Sequence, residues 1–426
     1  MNCYFLTGTF AFSVADSMDP GKHYCTVIGK RAFHCSEAVM QVLAAIDRES
    51  DIGEITAAVN RARSGPALTE DTIRQLIVTR LIPEGLVRTS PQEAEAPKKS
   101  GGYLFVNRTI LGPSAVNQVS RWFVFLFNRH IARLVLAVSC VLLAYWFWNL
   151  ASGGVNPWRN RARYFLDFGE SVLMYVLMLA SFMFHEFGHA AASRRYGARP
   201  AEIGFGLYLI FPVFFCNVTD TWRLPKHQRI VVSLGGVYFQ CIASALLVPF
   251  ALISESRMPS LVIAANLLAI LVTLNPFLRF DGYWVYSDFF SIPNLRKRAN
   301  ETSTAMFRRL FGGKADVEKT PNALRFYAAG SAVFFSAFTV LISGTAWMSF
   351  TAVPSQLAAA RAAFGDAPGW EMALNIAAAS GAYVFLLVGC VLSLLYAIST
   401  VVNGVRLLLK AAPVSAPAET RSTPHV

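Results

Sequence analysis

The sequence Phe184-His185-Glu186-Phe187-Gly188-His189 is an HExxH pattern, and the run before it, Ser171 to Phe184, is apolar and uncharged. That pairing constrains the chain more than any other feature. At about 3.6 residues per helical turn, residues four apart share one face, so the imidazoles of His185 and His189 can meet one metal ion. Glu186 lies beside that face, where a carboxylate can take a proton from water activated next to the metal. Each ionisable group in a bilayer costs roughly 2.5–3.5 kcal/mol, so three together require a partner. A metal ion, Zn2+ by the histidine donor set, is the expected partner, and an intramembrane proton relay is the competing reading.

With 54% hydrophobic and 15% charged residues and a mean hydropathy of +0.43, the chain of 426 residues is too apolar for an ordinary soluble enzyme. We expect a mostly α polytopic membrane protein with about six transmembrane helices, at 131–151, 170–192, 229–253, 259–280, 326–350 and 373–404. The segment 119–411 forms this membrane domain, and 412–426 reads as a disordered tail. Residues 202–218 carry Gly204, Gly206 and Pro212 among aromatic and β-branched residues. They are too broken for a span and too apolar for a surface loop, so a re-entrant β-like hairpin is expected.

The formal charge of +12 does not imply nucleic acid as a partner, because much of the basic excess flanks apolar segments. Arg194, Arg195, Arg199, Arg223, Lys226, Arg229, Arg296, Lys297, Arg298, Arg308 and Arg309 fall in loops on the side of the amino-terminal domain. By the positive-inside rule both termini are expected in the cytoplasm, with the protein in a bacterial inner membrane. The first residues lack a basic n-region, so no cleaved signal peptide is expected. The seven cysteines form no CxxC pair and read as buried thiols in a reducing compartment.

Residues 1–95 have soluble character. Ser36 to Ile46, Ile52 to Arg63 and Thr69 to Ile82 are amphipathic, and strands joined by a turn are expected around Asp19-Pro20-Gly21. A small winged helix-turn-helix domain follows. Residues 96–118 are expected as a linker, from the Pro-, Gly-, Ser- and charge-rich composition that runs from Thr89 to Gly102. The stretch from Ser36-Glu37-Ala38-Val39 to Leu86-Val87 resembles the PqqD-like leader-peptide recognition domain. That resemblance implies a domain that takes a short peptide as an added strand. A winged helix that binds DNA, or that only packs on the membrane domain, is the alternative.

A third ligand is needed for a catalytic zinc site. The segment Leu274-Asn275-Pro276-Phe277-Leu278-Arg279-Phe280-Asp281-Gly282 brings Asp281, after a Pro-broken helix, to the depth of the histidines. HExxH on one span with Asn-Pro and Asp-Gly ending a later one resembles the site-2 protease family of intramembrane zinc metalloproteases. Gly235-Gly-Val-Tyr-Phe-Gln240 and Arg279-Phe-Asp-Gly-Tyr-Trp284 are most similar to its peptide zinc metalloprotease branch. The resemblance implies His185, His189 and Asp281 as metal ligands, Glu186 as catalytic base and Asn275 beside the scissile carbonyl. It further implies a peptide or membrane-associated protein as substrate and peptide-exporter components as partners. Asp220, Asp288 and His227 are weaker candidates, read as solvated residues near membrane ends. An ion or proton transporter, or a metal-sensing receptor using the same cluster, is the rival function. No second copy of either motif supports it.

Overall fold

The computed structural model describes residues 3–6, 10–15, 23–28, 31–63, 66–84, 86–89, 104–152, 166, 168–208, 211–254, 256–310, 320–364 and 369. It is mostly helical. The expected span at 373–404 and the tail at 412–426 lie outside the described residues.

In the amino-terminal domain β1 (Phe5–Leu6) will pair with the domain's last strand, and β2 (Phe10–Ala15), β3 (His23–Ile28) and β4 (Arg31–Ser36) form an antiparallel sheet in that order. Three helices follow: α1 (Glu37–Ile46), α2 (Ile52–Ala62) and α3 (Glu70–Leu76), the last continuing through a π-helical turn at Ile77–Leu81. Strand β5 (Val87–Arg88) then returns to β1 and ties the two ends of the domain together. The helices stand where the sequence periodicity places them. On α2, Ile52, Ile55 and Val59 recur at helical spacing and are buried, while the Asp51 side chain accepts the Gly53 N–H at 3.0 Å as N-cap. Thr69 caps α3 in the same way through the Thr72 N–H. The core gathers Tyr4, Leu43, Ile55, Val59, Ile73, Ile77 and Leu81.

Part of the stretch expected as linker is ordered: β6 (Leu104–Leu111) leads into α4 (Pro113–Phe123), with Pro113 at the first helical position. After a 3-10 turn at Val124–Phe127 come α5 (Arg129–Ala151) and α6 (Phe168–Arg195). The expected hairpin is present as β7 (Ile203–Tyr208) and β8 (Phe211–Cys216), but β6 joins it, giving a three-stranded antiparallel sheet in the order β6-β7-β8. A 3-10 turn at Thr219–Arg223 packs against β2, β3 and β4, and α7 (Lys226–Ile253), α8 (Met258–Thr273) and α9 (Asp281–Phe289) follow. Helix α7 is the hub of this unit, packing on α5, α6, α8 and α9.

Among the described residues three helices are long and apolar enough to cross a membrane: α5, α6 and α7. Helix α8 has 16 residues and ends at Thr273. It is therefore shorter than the expected span, because Asn275-Pro276 opens a turn that runs to Phe280. A second unit begins at Arg296 and holds most of α10 (Leu295–Leu310) and of α11 (Asn322–Phe364). Within it the Arg296 guanidinium lies 5.4 Å from the Phe335 ring centre, and the Ser303 hydroxyl donates to the Ala328 carbonyl at 3.3 Å. Helix α11 covers the expected span at 326–350.

Candidate metal centre

The last third of α6 is buried where its first half is not: His185, Glu186, Gly188, His189 and the residues through Ser193 are enclosed. Val116 of α4 and Ile203 of β7 cover Ala190, and α7 encloses the histidine face. A Cβ on Gly188 would come within 2.2 Å of the Gly235 carbonyl oxygen, and one on Gly236 within 2.4 Å of His185 Nε2. Glycines along this seam let the helices approach closely and leave room for the imidazole.

The same helix fixes how the histidines face. His189 Nδ1 lies 2.8 Å from the Val232 carbonyl oxygen, and His185 Nδ1 lies 3.0 Å from Gln240 Oε1. Both partners are acceptors, so each Nδ1 carries the hydrogen and donates it. In the neutral ring each Nε2 is then left with a lone pair, the form in which imidazole binds a metal.

Asp281 opens α9, and its Oδ2 lies 3.2 Å from His185 Nε2 and 3.4 Å from His189 Nε2. The two Nε2 atoms are 3.1 Å apart. Gly282 permits this placement, since a Cβ there would collide with the Leu274 carbonyl oxygen at 2.1 Å. Asp281 Oδ2 is buried without a hydrogen-bond donor in acceptable geometry. With both imidazoles neutral, these three atoms turn lone pairs toward one another, an arrangement that a shared cation stabilises. Ligands about 2.0–2.1 Å from a tetrahedral zinc ion lie about 3.3 Å from one another, so the spacing fits zinc. Among the described residues these three form the group that can hold a metal ion.

Glu186 is buried at 7% exposure, and the backbone amide of Cys216, at the end of β8, faces its carboxylate. Asn275 sits in the turn between α8 and α9, where its Oδ1 accepts the Phe277 N–H at 2.9 Å. Asp220 accepts the Arg199 N–H and pairs with Arg223, and His227 is exposed. Asp288 is not a solvated residue. It is 7% exposed and holds Arg229 at 2.8 Å, joining α9 to α7, while Arg229 also donates to the Leu224 carbonyl oxygen. The sequence reading missed Gln240, Val232 and the Arg229–Asp288 pair. A glutamine in an apolar run was the available signal for the first, and backbone and ion-pair partners 43 and 59 positions away left none for the others.

Fold and site together define a mostly helical membrane protein with a buried His-His-Asp constellation suited to a metal ion. The chain is similar to the Bacillus subtilis (strain 168) protein named "Putative peptide zinc metalloprotease protein YydH", at 25% identity over 125 residues. That match covers 28% of this chain and 49% of the relative, about half its length. No protein-family model and no solved structure matches the chain.

Proposed function

We propose that this chain is a zinc-dependent endopeptidase of the site-2 protease type. The observation that carries the reading is the convergence of His185 Nε2, His189 Nε2 and Asp281 Oδ2 within 3.1–3.4 Å, beside a buried Glu186. The name of the relative supports zinc and peptide hydrolysis. Bound at these three side chains, zinc would act as a Lewis acid toward the scissile carbonyl and make water a nucleophile near neutral pH.

The chain's own residues do the rest. Glu186 takes a proton from the attacking water and returns it to the leaving amine nitrogen. Asn275, with its Oδ1 spent on the Phe277 N–H, offers its NH2 to the developing oxyanion. Gln240 and Val232 hold the imidazoles in the ligating tautomer. Strand β8 has one strand neighbour, β7, among the described residues. Its other edge is where an extended substrate adds by backbone pairing, next to Glu186.

In this reading both termini and the metal centre lie toward the cytoplasm of a bacterial inner membrane. The amino-terminal domain is a PqqD-like peptide-recognition module, and the activity serves maturation or export of a ribosomally made peptide. The test is Glu186→Gln. We expect the variant to keep its zinc and lose peptide cleavage by about 10²–10⁴-fold, measured on the purified protein with a peptide pool. Full activity in that variant refutes the role of Glu186.

A further inference from the structure

A cavity of about 320 Å³ lies where the amino-terminal domain meets α9, on the helix whose first residue is Asp281. Val39 and Arg80 line one side, and Trp222, Arg279, Tyr283 and Trp284 the other. Its volume is at the lower end of ligand pockets, about 300–1,000 Å³, enough for one or two side chains of a peptide. None of these residues belongs to the metal cluster.

The lining has a definite chemistry. Trp222 and Trp284 meet edge to face with ring centres 5.7 Å apart, and Tyr283 and Trp284 do so at 5.0 Å. The Arg279 guanidinium lies 5.4 Å from the Tyr283 ring centre. Arg80 engages Glu84 only through Nε, at 3.4 Å. Its terminal fork, the part that grips a carboxylate with two parallel hydrogen bonds, makes no hydrogen bond among the described residues, and the side chain is 57% exposed. Glu84 also lines the cavity, but of the Arg80 guanidinium it takes only Nε, so the rim keeps a fork suited to a carboxylate next to an aromatic side chain.

We infer that this cavity is a substrate-recognition site for a peptide segment in which an acidic residue adjoins an aromatic one. The inference rests on the peptidase reading and adds a specificity site to it. Trp284 follows Asp281 by three residues, about 5 Å along the helix, so a segment held here is anchored within a few extended residues of the metal centre.

The experiment is selection from a random-sequence soluble peptide library on the full-length Glu186→Gln protein in nanodiscs of neutral phosphatidylcholine. The result expected is enrichment of peptides with Asp or Glu beside Phe, Tyr or Trp. Arg80→Gln should weaken binding of an enriched peptide about tenfold, Arg80→Lys less, and Trp284→Ala should remove the aromatic preference. Unbiased enrichment, or affinity unchanged by Arg80→Gln, overturns the inference. Loss of peptide binding when the disc contains anionic phosphatidylglycerol also overturns it, because the cavity then takes a lipid headgroup. Binding is read without turnover, so failure of the peptidase reading shows separately, as absence of zinc-dependent cleavage by the wild-type protein.

Discussion

The amino-terminal domain and the α5–α8 bundle sort their side chains by opposite rules. In the first, Leu43, Ile55, Val59, Ile73 and Ile77 are fully buried, and Glu70, Arg74, Arg80 and Glu84 stand outside. In the second, Leu246, Phe250 and Ile253 on α7 are 59–81% exposed, while Gln240 on the same helix, the partner of His185, is buried. Helix α6 carries the contrast within itself: Val172, Leu173, Tyr175, Val176 and Leu179 are exposed, and His185, Glu186 and His189 are enclosed. The lesson is about solvent. A helix surrounded by hydrocarbon gains nothing by hiding leucine, so burial goes to groups that need each other, and the His185-His189-Asp281 cluster is the extreme case.

The strongest way to break this contrast is to strand a charge. Arg229→Ala leaves Asp288 buried without its ion-pair partner, and we expect a loss of about 3–5 kcal/mol, read as a lowered unfolding midpoint in detergent. A variant as stable as wild type would show that α7 and α9 do not depend on the pair. Leu43→Ala then probes ordinary burial in the amino-terminal domain. A cost of about 2–5 kcal/mol is expected, seen as faster hydrogen exchange in α1 and α2 of the intact protein, whereas Leu246→Ala on the outer face of α7 should change stability by about 0.5 kcal/mol or less. Equal effects would erase the distinction between the two regions. The finest test is Gln240→Ala, which removes the acceptor for His185 Nδ1 and should lower zinc affinity about 10–100-fold with the fold intact.

Much of the centre was legible in the sequence because its chemistry is local. The four-residue spacing of His185 and His189 places them on one helical face, and Asp281-Gly282 after Asn275-Pro276 marks a broken helix end. The three amino-terminal helices were legible from periodicity and from Asp51 and Thr69 as caps. Other features depend on partners far along the chain. Strand β6 follows a Gly-Gly pair, and its pairing partner β7 comes after two long helices, so local composition places it in the linker. Asp288 looked like an interface residue because the arginine that buries it is 59 positions earlier. The short α8 reflects a helix end set by Asn275-Pro276, where hydropathy alone carried the expected span to residue 280.

The central claim is that His185, His189 and Asp281 form one metal centre, and it is tested most directly by the metal content of the purified protein in mild detergent. Wild type should carry close to one zinc per chain, and His185→Ala and Asp281→Ala should each lose it while remaining folded. Wild type without tightly held metal, or Asp281→Ala with its zinc unchanged, would contradict the account.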